Sequence, residues 1–286
     1  MDWARNADWP KASHSRFVLS KPHKWHVQEL GHGPTVLLLH GAGGATQTWR
    51  HMYDQLIGHY RIIAIDLPGQ GFTKMGTPKR CGLEAMSEDI ARLCNQEGWH
   101  VDAVVGHSAG GAIALQLASS LSPSPPVIGI NPALGNFKGL AGVAFPLIAK
   151  VLASTPWVAQ LFTASTSRPH SVDRLLAGTG SILTPEDQVF YRRLISDKAH
   201  VEGTLAMMAQ WRLDPLLAAL PEMSAPTLFI TGSGDKAVPP TTSTKTAAIM
   251  PDAKVIEIAG LGHLAHEEDG QAVASHIISF LNSRLN

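Results

Sequence analysis

The sequence predicts an α/β fold: an eight-stranded, mostly parallel sheet flanked by helices, with a helical lid inserted in its second half. Three observations carry it. Short apolar runs alternate with helical stretches through much of the 286 residues. The turn Gly106-His107-Ser108-Ala109-Gly110 joins the run Ala103-Val104-Val105 to the helix-like stretch Gly111 to Ala118. The alternation then stops between Asn131 and about Leu220, where helix-like segments are punctuated by Pro146, Pro156, Pro169 and Pro185, and it resumes afterwards.

In chain order, Phe17 to Leu19 and Trp25 to Gln28 read as an opening hairpin. Six continuous apolar runs follow and read as central strands, because a strand covered on both faces need not alternate. They are Val36 to Leu39, Ile62 to Ile65, Ala103 to Val105, Val127 to Ile130, Thr227 to Ile230 and Lys254 to Ile258. A final helix is expected over Ala272 to Leu285. The division that results is a core of residues 1–131 and 221–286, with residues 132–220 as the lid between the sixth and seventh strands.

Composition narrows the partners. The 23 basic and 23 acidic residues cancel and form no long runs, so the electrostatic footprint of a nucleic-acid binder is missing and a small neutral or apolar substrate fits better. Cys81 and Cys94 are too few for a disulfide framework and read as packed thiols in a reducing compartment. The stretch Met1 to Trp9 lacks the basic start and apolar run of a signal peptide, and no segment reads as a spanning helix, so a cytoplasmic protein is expected.

The chemistry is read from three loops. In a G-x-S-x-G turn a strand bends sharply into a helix so that the serine hydroxyl stands above the sheet, and the flanking glycines remove side chains that would block the bend. Ser108 is therefore the candidate nucleophile, and it needs a histidine to take its proton and an acid to orient that histidine. Asp235 lies in the glycine-rich loop Thr231 to Pro239, just beyond a strand's carboxyl end, where loops converge on the ligand crevice. His263 follows the next strand in Ala259-Gly260-Leu261-Gly262-His263, with His266 read as a helix-start residue.

A tetrahedral oxyanion would be held by the backbone N–H of Ala109, next to the nucleophile, and by that of Ala42 in the turn His40-Gly41-Ala42-Gly43-Gly44. His40 reads as a residue that fixes this turn, and Asp66 of Asp66-Leu67-Pro68-Gly69-Gln70-Gly71-Phe72 as structural. The turn has neither the lysine of a P-loop nor G-x-G-x-x-G spacing, so phosphate binding is not expected. Asn131, at the exit of the sixth strand, stands where some hydrolases carry a substitute acid but cannot itself hold the charge; it either orients substrate or shapes the lid hinge. No cluster has metal-ligand spacing, and no metal or cofactor is expected.

With HGAGG, DLPGQGF, GHSAGG, GSGDKAVPP and GLGHLAHEE in this order, nearly the whole chain resembles the α/β-hydrolase superfamily, whose triad order of serine, acid and histidine is matched by Ser108, Asp235 and His263. Finer features are Trp3, Trp9-Pro10 and His14 to Phe17, Asn131 to Leu134, Leu175 to Ser181, and Met207-Met208-Ala209-Gln210-Trp211. Together they resemble the magnesium-chelatase accessory proteins of bacteriochlorophyll biosynthesis. That resemblance implies a tetrapyrrole or its hydrophobic ester as ligand, and a contact with magnesium chelatase.

Substrate choice is expected from the lid. The apolar segment Phe137 to Thr163 reads as a helix pair packed on the core, or as a pocket wall or route from a membrane surface for a lipophilic ligand. Met207, Met208 and Trp211 either fill the core or line the pocket, and His107 and Asn131 complete the expected substrate contacts. Three functional classes follow: a serine hydrolase of an ester or related acyl bond, a non-catalytic accessory protein that binds tetrapyrrole or chelatase, and a carbon–carbon bond hydrolase.

Overall fold

The computed structural model describes residues 1–135 and 171–285. Its eight strands are β1 (Ser15–Ser20), β2 (His23–Leu30), β3 (Thr35–Leu39), β4 (Arg61–Ile65), β5 (Ala103–His107), β6 (Val127–Ile130), β7 (Thr227–Gly232) and β8 (Ala253–Ile258). They form one sheet in the order β1-β2-β4-β3-β5-β6-β7-β8. β2 pairs antiparallel with β1 and β4, and the six strands from β4 to β8 across the sheet run parallel. This is the sheet the sequence predicts. The opening hairpin is longer than its apolar run, because β2 must also reach β4.

Parallel strands need crossover helices, and these bury both faces of the sheet. The described helices include α1 (Tyr53–Leu56), α2 (Leu83–Glu97), α3 (Ala109–Ala118), α4 (Ser171–Gly178), α5 (Pro185–Ser196), α6 (Lys198–Gln210), α7 (Asp214–Ala219), α8 (Thr241–Ala247), α9 (Ala265–Glu268) and α10 (Gly270–Asn282). Alternate residues of one strand serve opposite cores. Leu37 and Leu39 of β3 pack with Ile90 and Leu93 of α2 and Ile113 and Leu117 of α3, whereas Val36 and Leu38 pack with Leu56 of α1 and Ile277 and Leu281 of α10. Each such fully buried aliphatic side chain contributes about 1.5–3 kcal/mol of transfer free energy.

One strand differs from its reading. β8 was expected to be buried like its neighbours, yet Lys254 and Glu257 are exposed and its apolar residues only half-buried. It is one of the two edges of the sheet, with β7 alone as its partner, so one side faces solvent. The last helix starts at Gly270 and stops at Asn282, with Asp269 capping Ala272 N–H. Among the described residues no helix is long and apolar enough to cross a membrane. Cys81 and Cys94 are free and buried, and burial pushes both thiols up to about 12.

Between β6 and β7 the described chain is helical, with no strand among those residues. α4 and α5 pack through Val172, Leu176, Tyr191 and Leu194 onto Trp9, Phe72 and Leu264, which fastens them to the sheet's carboxyl edge. The segment Phe137 to Thr163 lies outside the described residues.

Register sets the functional edge. His107 of β5 pairs with Ile130 of β6, Ile130 with Ile230 of β7, and Gly232 of β7 with Ile258 of β8. The loops that begin at Ser108, Asn131, Ser233 and Ala259 therefore all leave the sheet at one end. α3 must start directly against the sheet for this to work. A Cβ on Gly106 would lie 2.1 Å from the Gly110 carbonyl oxygen, and one on Gly110 would lie 2.1 Å from the Leu39 carbonyl oxygen. Both obstacles are backbone and cannot swing aside. Gly110→Ala is expected to cost at least about 2 kcal/mol, lowering Tm by roughly 4–8 °C in a thermal melt. The control Gly58→Ala, whose Cβ meets nothing within 4 Å, should stay within about 0.5 kcal/mol of the parent.

Candidate active site

Ser108 occupies the step between β5 and α3 with φ 51° and ψ −117°, a left-handed conformation that a side-chain-bearing residue rarely takes. Such a conformation costs on the order of 1–3 kcal/mol and persists only where its surroundings over-determine it. Here they do. Ser108 N–H donates to the Ile130 carbonyl at 2.9 Å, and the Ser108 carbonyl accepts from Gly111 N–H at 3.0 Å and Ala133 N–H at 3.0 Å.

The three residues read from separate loops come together. His263 Nε2 lies 2.9 Å from Ser108 Oγ, and His263 Nδ1 lies 2.8 Å from Asp235 Oδ2. Asp235 Oδ1 accepts from the backbone N–H groups of Ala237 and Val238, both at 2.8 Å, so the loop after β7 grips the carboxylate. Asp235 and His263 are both buried. The His263 loop is held by its neighbours: Gly262 N–H donates to Glu268 Oε1 at 2.8 Å, and His263 N–H to the Thr179 carbonyl at 3.3 Å. At Gly262 a Cβ would lie 2.4 Å from the Gly180 carbonyl carbon, so glycine is required where the two turns meet.

Two more histidines stand behind His263. His107 Nε2–H donates to the His263 carbonyl at 2.9 Å, and burial, with His266 and His263 nearby, drives its pKa well below the ordinary histidine range. His107 is thus an uncharged support as well as part of the cavity floor. His266 lies in the first turn of α9, as expected of a helix-start residue, with Nε2 2.6 Å from Thr48 Oγ1 and its ring 4.4 Å from that of His107. Next to it, Glu267 accepts from Thr48 at 2.6 Å and from Tyr191 of α5, and pairs with Arg50, which also binds Asp187 of α5 at 2.7 Å. A buried ion cluster therefore ties the histidine loop to the helices between β6 and β7.

The turn after β3 is fixed from below and above. His40 Nε2 accepts from Leu67 N–H at 2.9 Å and its Nδ1–H donates to the Gly41 carbonyl at 2.8 Å, which is the loop-fixing role expected of it. Asp66 is likewise structural, accepting from Thr46 N–H at 2.7 Å and Phe72 N–H at 2.8 Å and contacting His26 Nδ1 at 2.7 Å. From above, Gln70 Oε1 accepts Gly43 N–H at 2.7 Å. His200 of α6 accepts Gly71 N–H on Nδ1 at 3.0 Å and donates from Nε2 to the Gly43 carbonyl at 3.2 Å. The N–H groups of Ala42 and Ala109 donate to no acceptor among the described residues.

Over Ser108 opens a cavity of about 450 Å³, within the usual range of small-molecule sites. Its described lining includes Ala42, Leu176, Ile195, Val201, Leu205 and Met208, with no lysine, arginine, aspartate or glutamate. Of the substrate contacts expected from sequence, His107 and Met208 line this cavity, whereas Asn131, Met207 and Trp211 are not among its described lining residues. Met207 points into the core, where its sulfur receives Gln70 Nε2 at 3.2 Å. Trp211 lies one residue past α6 and packs against the core cluster below it. Asn131 is buried with its amide on Asp235. His200 was missed: nothing around Ala199-His200-Val201 in the sequence marks it.

His200 yields a stability test. Burial, reinforced by His40, lowers its pKa to about 4, against about 6.5 in an unfolded chain. Above pH 6.5 both states are uncharged there; below it the unfolded chain takes up the proton first, so folding loses free energy as pH falls from 6.5 toward 4, by roughly 3 kcal/mol in all. Denaturant midpoints of His200→Asn, which cannot titrate, should fall less steeply across this window than those of the parent, and parallel curves would refute the assignment.

A model of the alpha/beta hydrolase family matches residues 36–276. The chain is 42% identical over 277 residues to the Magnesium-chelatase 30 kDa subunit of Rhodobacter capsulatus, covering 96% of this chain and 97% of that one. It is 28% identical over 263 residues to a pimeloyl-acyl-carrier-protein methyl ester esterase of Xanthomonas oryzae, covering 83% and 91% respectively. Among solved structures, a thermophilic esterase from Thermogutta terrifontis superposes with a TM-score of 0.74 at 26% identity, over 94% of this chain and 98% of that chain. With a family model spanning most of its length and a relative 42% identical from end to end, the chain belongs to the alpha/beta hydrolase family, in company with the magnesium-chelatase 30 kDa subunit of R. capsulatus.

Proposed function

We propose that the protein is a serine hydrolase that cleaves an ester or related acyl bond of a hydrophobic small molecule. The observation that carries this is the unbroken line Ser108 Oγ, His263 Nε2 at 2.9 Å, His263 Nδ1 to Asp235 Oδ2 at 2.8 Å, at the floor of an apolar cavity. Ser108 Oγ attacks the substrate carbonyl while His263 Nε2 takes its proton, and Asp235 holds the ring and stabilises the imidazolium. The oxyanion lies between the Ala42 and Ala109 N–H groups, each worth about 3–4 kcal/mol in the transition state. His263 then gives its proton to the leaving alcohol, and water repeats the sequence on the acyl-enzyme.

The core of residues 1–131 and 221–286 supplies this machinery, and residues 132–220 act as the lid that selects the substrate. The described lining, apolar and without ionised lysine, arginine or carboxylate, favours a hydrophobic ester, and the esterase names of the Xanthomonas and Thermogutta proteins agree with ester chemistry. The name of the R. capsulatus relative directs attention to a tetrapyrrole or its ester, in bacteriochlorophyll formation, and to a contact with magnesium chelatase. That same name favours a second reading, a non-catalytic accessory protein that binds tetrapyrrole or chelatase.

A fluorophosphonate probe separates the two without a known substrate. Purified wild-type protein should label at Ser108, while Ser108→Ala and His263→Ala should lose labelling by at least about 10³-fold with unchanged circular dichroism. A folded wild type that does not label would sink the hydrolase reading. In cells, Ser108→Ala should abolish the pathway output under the first reading and leave it unchanged under the second.

A further inference from the structure

The geometry points to Asn131 as a positioning residue of the triad, whose amide holds the Asp235 carboxylate in register with His263; this rests on the serine-hydrolase reading above. Asn131 follows β6 with φ 44°, and its N–H donates to the Ile230 carbonyl at 2.8 Å. Its side chain is almost wholly buried, and its Nδ2 donates to Asp235 Oδ2 at 2.8 Å. That oxygen is the one His263 Nδ1 contacts, also at 2.8 Å. Since a carboxylate only accepts, the amide nitrogen must be the atom that faces it.

Asp235 is buried with no lysine or arginine among its hydrogen-bond partners in the described residues. Its charge is met by four N–H donors: Ala237 and Val238 on Oδ1, Asn131 and His263 on Oδ2. The two backbone donors fix where the carboxylate sits along its loop. Asn131, reaching across from the neighbouring strand, fixes its rotation, so that Oδ2 meets the imidazole. Backbone conformation alone does not call for asparagine here, because glycine takes positive φ more readily. Asn131 Oδ1 has no partner among the described residues, so the Nδ2 end is what the site uses. A second, longer contact of 3.4 Å to the Gly262 carbonyl keeps the amide beside the His263 loop.

Asn131→Gly removes the amide and keeps the backbone geometry. With a chromogenic short-chain ester, assayed well below the melting temperature that the lost buried hydrogen bond lowers, its kcat should fall about 10–100-fold while KM stays within about twofold. Wild-type kcat in this folded variant overturns the assignment. A swap is the independent arm: Asp235→Asn should lose about 10⁴-fold, and Asp235→Asn with Asn131→Asp should recover at least tenfold, because the carboxylate returns from the adjacent strand. If the glycine variant fails to fold, the swap decides, and no recovery overturns the proposal. A wild type that hydrolyses no ester and takes no fluorophosphonate fails the hydrolase reading instead, before either variant is compared.

Discussion

The tight passage from β5 through Ser108 into α3 is the constraint on which the rest of the site depends. A positive φ at a serine, backbone contacts that exclude any Cβ at Gly106 and Gly110, and a carbonyl of β3 directly beneath α3 leave one way for the chain to run. That passage fixes the Ser108 hydroxyl and, in the same step, frees the Ala109 N–H at the start of α3. Everything else is brought to it by register: β6 ends level with β5, and β7 and β8 run two residues further at the same edge, so their loops leave the sheet beside Ser108.

Charge is handled by segregation. The described cavity lining carries no ionised lysine, arginine or carboxylate, and His107 and His200, both at its wall, are held uncharged by burial. The Arg50, Asp187 and Glu267 cluster lies behind the His263 loop, where it joins α5 to α9 instead of meeting ligand. Buried ion pairs add little net stability, but removing one partner is costly, so such a cluster acts as a lock on relative position. What it locks is the loop that bears His263 against the helices that roof the cavity.

The parts legible in the sequence are those with a local physical signature. Strands covered on both faces are continuously apolar, and β3 to β7 bury as such, apart from the half-buried Arg61 that opens β4; β1 and β8 are the two edges, and in β8 the exposed positions are the charged Lys254 and Glu257 that interrupt its apolar run. Ser108, Asp235 and His263 each sit in a glycine-bearing loop at a strand's end, so their convergence could be anticipated. Helical phase could not be. α6 is apolar around much of its circumference, and Met207 and Met208, about 100° apart on it, divide between core and cavity with nothing in the letters to say which faces where. His200 has no motif, and Asn131 faces a carboxylate that is distant in sequence.

The contacts of α6 explain why the cavity wall and the turn after β3 cannot be altered separately. Gly203 packs so closely on Gly69 that a Cβ on Gly203 would lie 2.2 Å from the Gly69 carbonyl oxygen. One turn away, His200 spans Gly71 N–H and the Gly43 carbonyl, while Gln70 takes Gly43 N–H. Both ends of Gly43 are thus held by side chains, one of them from the helix whose Val201, Leu205 and Met208 line the cavity. Gly43 is the next residue after Ala42. A shift of α6 that reshapes the cavity must therefore also move the turn that presents the Ala42 N–H, so the shape of the cavity and the placement of that N–H beside Ser108 are coupled through a single helix.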